Sequence, residues 1–96
     1  MDTNRISSIN QGIIGGVDTH KDLHLAAAIT ETGGLLGTAE FPTTAKGYQH
    51  LLRWLRGFGR LRRVGIEGTG SYGAGLTRFL RSAGVDVVEV NRPNRQ

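Results

Sequence analysis

Two apolar runs, Ile13–Val17 and Leu23–Ile29, are separated by so short a polar stretch that the chain has to turn back on itself between them. Both runs favour β structure, and Thr19–Asp22 between them supplies the turn, so the pair reads as a hairpin. The first run shows no alternation of apolar and polar residues. It is therefore expected to be a central strand covered on both faces. Asp18 stands where this run ends, and a carboxylate there is costly to desolvate unless a cation or hydrogen-bond donors meet it. A turn residue that bonds nearby backbone groups is the alternative reading of Asp18, and this stretch alone leaves both open.

The 96-residue chain has room for one hydrophobic core and no separate substrate domain. Residues 1–11 are polar, lack the apolar centre of a secretion signal, and read as a flexible N-terminal arm ahead of a domain at 12–96. No run approaches membrane-spanning length, and there is no cysteine for disulfides or thiolate metal sites. A cytoplasmic protein with no membrane partner is the expectation. Charge is unevenly placed: residues 1–45 hold Arg5 and Lys21 against Asp2, Asp18, Asp22, Glu31 and Glu40, whereas 46–96 hold ten bases against Glu67, Asp86 and Glu89. Nearly all the excess is arginine, whose planar fork suits phosphate, so a polyanion is one reading and a solvated helical surface the other.

Beyond the hairpin, Thr32–Gly34 is a turn and Leu35–Phe41 a third strand closed by Pro42. Thr43 and Thr44 offer an N-cap for a helix over 45–58. Tyr48, Leu51, Leu52 and Leu55 form its buried stripe, with Lys46, Gln49, Arg53, Arg56 and Arg60 opposite. Trp54, at the stripe's edge, reads as packing before it reads as a platform for a base. Residues 60–63 read as a basic connection into a short strand, Val64–Ile66, that ends in Glu67. Ser71 is a candidate N-cap for a second helix with Tyr72, Leu76, Phe79, Leu80 and Ala83 inside, Gly84 ends it, and 85–90 form a fifth strand.

The order is thus βββαβαβ. Three meandering strands followed by two right-handed crossovers give a mixed sheet in the spatial order 3-2-1-4-5, with strand four parallel to strand one. Asp18 and Glu67 then end adjacent strands, about 4.8 Å apart. Two carboxylates that close repel unless a proton or cation is shared, and a hard divalent cation such as Mg²⁺ takes oxygens from both.

Gly15–Asp22, Gly65–Leu76 and Gly84–Pro93, the last ending Val90-Asn91-Arg92-Pro93, together resemble the N-terminal domain of DEDD-type insertion-sequence transposases, relatives of the Piv and MooV DNA invertases. The resemblance spans nearly all of residues 13–96. It implies an α/β, ribonuclease H-like domain of the Holliday-junction-resolvase (RuvC) type. It also implies DNA transposition and recombination as the activity, with Asp18 and Glu67 as the first two of four acidic Mg²⁺ ligands. The other two, in a segment like Asp-x-x-Asp-Ala, follow the Asn-Arg-Pro stretch in such proteins, so the chain is expected to be a C-terminally incomplete domain, inactive alone. DNA, a structured guide RNA in many members, and a homo-oligomer of the complete protein are the implied partners. His20 and Lys21 belong to the motif and are candidate backbone contacts, with Arg53, Arg56, Arg60, Arg78 and Arg81 as electrostatic candidates.

His20, Asp22 and His24 have spacings that suggest zinc, but alternation in a hairpin and a missing fourth ligand count against it. Gly68–Ser71 either cradles a phosphate ahead of the second helix or merely turns the chain beside the carboxylates. Two other functions fit the element order: half of an actin-like or sugar-kinase-like nucleotide-binding protein, and a non-catalytic nucleic-acid-binding remnant.

Overall fold

The computed structural model describes residues 11–91. The expected arm at 1–11, save Gln11, and Arg92 and Pro93 of the closing motif lie outside the described residues. Seven elements follow in the anticipated order: β1 (Gly12–Thr19), β2 (Leu23–Thr30), β3 (Leu35–Pro42), α1 (Ala45–Arg56), β4 (Arg60–Ile66), α2 (Ala74–Ser82) and β5 (Val87–Glu89). They build one five-stranded sheet in the order β3-β2-β1-β4-β5. β1 runs antiparallel to β2 and parallel to β4, and β4 runs parallel to β5, so the mixed sheet and its two crossovers are those expected. This is the ribonuclease H-like architecture.

Alternation along the strands decides where the core sits. Ile13, Gly15 and Val17 of β1, Ala26 and Ala28 of β2, and Val64 and Ile66 of β4 are buried, and they meet Leu51, Leu52 and Leu55 of α1 and Leu76 and Leu80 of α2. Gly15 lets α1 approach: a β-carbon there would stand 2.8 Å from Leu55 Cδ1. Phe41, Trp54 and Phe58 close one side, with Trp54 edge-on to Phe58 at a centroid distance of 4.9 Å. Trp54 is therefore packed, as the stripe suggested.

Both helices lie on this one face, which corrects the reading of β1 as covered on both sides. The run lacks alternation for a different reason: Ile14 faces away from the helices and is only half-buried, and Gly16 carries no side chain. β4 begins at Arg60, not Val64, because residues 60–63 pair with Gly12–Ile14 of β1 across a register shift. β5 pairs only with Val64–Ile66, so this stretch is a strand edge where arginines reach water.

Helix ends obey local chemistry with one exception. Thr44 caps α1, its hydroxyl accepting from Gly47 N at 3.0 Å, and α1 ends at Arg56 rather than Phe58. Tyr48 is half-buried and Gly47 joins the buried stripe. Ser71 does not cap α2. Gly73 stands at that position without a side-chain cap, since residues 68–73 first make a tight turn in which Ser71 N and Gly73 N both donate to Gly68 O, at 3.0 and 2.8 Å. Starting two residues later shifts the inner face to Leu76, Thr77 and Leu80, leaving Tyr72 57% exposed and Ala83 in solvent. At the other end Gly84 adopts φ +82°, donating to Arg81 O while Val85 N donates to Leu80 O, a glycine-terminated helix end.

Candidate active site

Two parallel neighbours bring the carboxylates to one place. Val17 of β1 pairs with Ile66, the last residue of β4, and Asp18 and Glu67 directly follow that pair. Because Val17 and Ile66 point to the helices, the residues after them point to the open face. Two hydrogen bonds lock the strand ends together: Glu67 N donates to Val17 O at 3.2 Å and Thr19 Oγ1 donates to Glu67 O at 2.9 Å. The chain then leaves through Gly68 at φ +67°, where a β-carbon would stand 2.9 Å from Thr19 Oγ1. Glycine is needed there on both counts.

Asp18 and Glu67 share a concavity of about 530 Å³ on the open face. Its floor includes the paired glycines Gly16 and Gly65 with Ile14, Ile29 and Val88, and Arg63 stands at its margin. Arg63 also approaches Asp86, Nε to Oδ2 at 3.7 Å. His20 Nε2 lies 3.2 Å from Asp18 Oδ2, with 61% of the histidine side chain and 39% of the aspartate exposed. Lys21 follows in the same exposed turn, which is anchored by Thr43 Oγ1 donating to Lys21 O at 2.9 Å.

His24 goes elsewhere. It is fully buried on the helical side, its ring parallel to that of Tyr48 at 6.0 Å, and neither ring nitrogen has a hydrogen-bond partner among the described residues. Burial holds its pKa below the ordinary value, with the Leu23 backbone acting against the shift and His20 with it. His20 and His24 thus stand on different sides of the sheet. Among the described residues no three His, Asp or Glu side chains gather as a metal-binding group.

The basic candidates fall into three places. Arg53 and Arg56 lie on the exposed side of α1, Arg78 and Arg81 on that of α2. Arg60 begins β4, so seven residue steps, about 23 Å, separate it from Glu67. In the turn at 68–71, the Ser71 amide is already engaged by Gly68 O, as is that of Gly73 just beyond it, which favours turning over phosphate cradling. Sequence alone does not single out Thr19 or Arg63 as site residues. Thr19 acts through its hydroxyl across 48 positions and Arg63 reads as part of a connection, so only a correct strand register reveals them.

The model of the IS110-type DEDD transposase family, described as Transposase, matches residues 15–96. The chain belongs to that family. A search of curated proteins found no match. As a transposase-family domain it is one that serves DNA transposition, with DNA as the partner of the reaction and a divalent metal as the family's general requirement. Membership removes the alternative of a nucleotide-binding half. In this transposase domain the donor set would suit a hard cation: two carboxylates from adjacent strand ends at an accessible concavity.

Proposed function

We propose that Asp18 and Glu67 are metal-binding carboxylates of DNA strand cleavage and exchange, and that residues 12–96 belong to the catalytic domain. The observation that carries this reading is their placement one residue beyond the Val17–Ile66 pair, with Thr19 tying the two ends together. A divalent cation held there, magnesium by its preference for carboxylate and water oxygens, supplies Lewis-acid polarisation of a phosphoryl oxygen and an acidified water. The protein's part is positional. Asp18 and Glu67 offer oxygens from rigid strand ends, Gly68 turns the chain out of the way, and His20 hydrogen-bonds to Asp18 and orients it. His20 and Lys21, in the turn beside the carboxylates, are the nearest candidate contacts to a nucleic-acid backbone. DNA binding, a guide RNA, a homo-oligomer and a cytoplasmic place belong to the same proposal. No helix among the described residues is long and apolar enough to cross a membrane.

The direct test is Mg²⁺ or Mn²⁺ titration of the chain followed by NMR or calorimetry, comparing the parent with Asp18→Asn/Glu67→Gln. Saturable binding in the parent and none in the variant is expected. Equal binding in both would refute the assignment. Placed at the matching positions of an intact family member, each substitution should lower strand exchange by at least about a hundredfold, since losing a metal ligand removes several kcal/mol of transition-state stabilisation.

A further inference from the structure

The two helices carry bases and no acids. Lys46, Arg53 and Arg56 on α1 and Arg78 and Arg81 on α2 are all exposed, and neither Ala45–Arg56 nor Ala74–Ser82 contains Asp or Glu. Arg53 and Arg56 stand three residues apart and so share one side of α1. With Gln49 they border a groove of about 290 Å³ whose floor is Leu52 and Phe79, the latter from α2. The ion pairs recorded among the described residues are His20–Asp18 and Arg63–Asp86, so no carboxylate there neutralises Arg53, Arg56 or Arg78.

We propose that this helical layer docks the phosphate backbone of a DNA duplex, on the side of the sheet away from Asp18 and Glu67. The proposal rests on the reading of the chain as a DNA-handling domain. Charge favours a polyanion, and guanidinium groups suit phosphate oxygens. The one indole of the layer is not offered to an unstacked base, since Trp54 is packed against Phe41 and Phe58. From Lys46 to Arg56 the bases extend over ten helical residues, about 15 Å, or roughly four base steps along a strand. Transposition joins two DNA segments. The open face presents the carboxylates to one, and the opposite side of the same sheet holds another stretch of duplex that they do not act on.

The test is fluorescence anisotropy of a labelled duplex with the 96-residue chain between 50 and 200 mM salt, in EDTA so that the outcome is independent of any metal site. Each phosphate contact adds about 0.9 to the slope of log K against log salt. Arg53→Ala/Arg56→Ala should flatten the slope by about 1.8, which makes the salt-induced loss of affinity over that range about twelvefold smaller. Arg53→Lys/Arg56→Lys should retain most of the slope, and circular dichroism should show all three proteins equally folded. An unchanged slope in the alanine variant would overturn the proposal, as would absence of duplex binding by the parent. Tenfold tighter binding of an RNA hairpin at the same arginines would overturn the assignment to DNA. None of these results bears on whether Asp18 and Glu67 bind metal.

Discussion

The two faces of the sheet differ in what they are for. On the helical face, Ile13, Leu51, Leu55, Ile66, Leu76 and Leu80 are fully buried, and removing this apolar surface from water is what holds the domain together. On the open face, Leu25 of β2 and Val88 of β5 remain about 40% exposed, and between them β1 and β4 lead into Asp18 and Glu67 beside a concavity. One strand serves both faces because its side chains alternate. From Ile13 to Asp18 of β1, stability and chemistry are divided by parity, odd residues to the core and even ones to the open face.

The sharpest way to break that division is to truncate leucine on each side. Leu55→Ala, which opens a cavity between α1 and β1, should lose about 2–5 kcal/mol in urea unfolding. Leu25→Ala, already partly in water, should lose less than about 1 kcal/mol. Equal losses would mean that the open face contributes to the core as much as the helical one does. A finer version uses neighbouring glycines. Gly15→Ala puts its methyl 2.8 Å from Leu55 Cδ1 and should cost about 1–3 kcal/mol, whereas Gly16→Ala has nothing nearer than Ile29 Cδ1 at 3.9 Å. With no positive φ at Gly16, alanine there should instead stabilise by about 0.4–1 kcal/mol through the unfolded state, and melting temperatures of the pair check the sign.

The strand order could be read from sequence because a meander followed by two right-handed crossovers leaves few alternatives, and that order alone puts Asp18 and Glu67 at adjacent strand ends. Which face is open could not be read. Glycine at 15 and 16 carries no polarity, so an unalternating run looks the same whether one face is covered or two. Arg60–Arg63 looked like a loop because charge is rare within central strands; pairing with β1 alone makes that stretch an edge, where arginine is at home. Ser71 has the chemistry of a cap, but the glycines at 68, 70 and 73 let the chain turn first and start α2 two residues later. Local signals were outvoted by backbone geometry that only the assembled sheet imposes.

The smallest effect separates the two histidines of the β1–β2 hairpin. His24, desolvated on the helical face with both ring nitrogens unpartnered among the described residues, has its folded-state pKa lowered. Below the ordinary imidazole value near 6.5 the unfolded chain therefore takes up a proton that the folded chain refuses, so stability is complete above that pH and falls as the pH drops through it. The slope contributed by one such group cannot exceed about 1.4 kcal/mol per pH unit. His24→Leu should remove this slope while keeping the site apolar and filled, so that parent and variant diverge between pH 7 and pH 5 with the variant the more stable in acid. Urea midpoints at each pH measure it. Parallel pH profiles would mean that His24 finds water or a partner in solution, and that the helical face is less sealed than the open face is exposed.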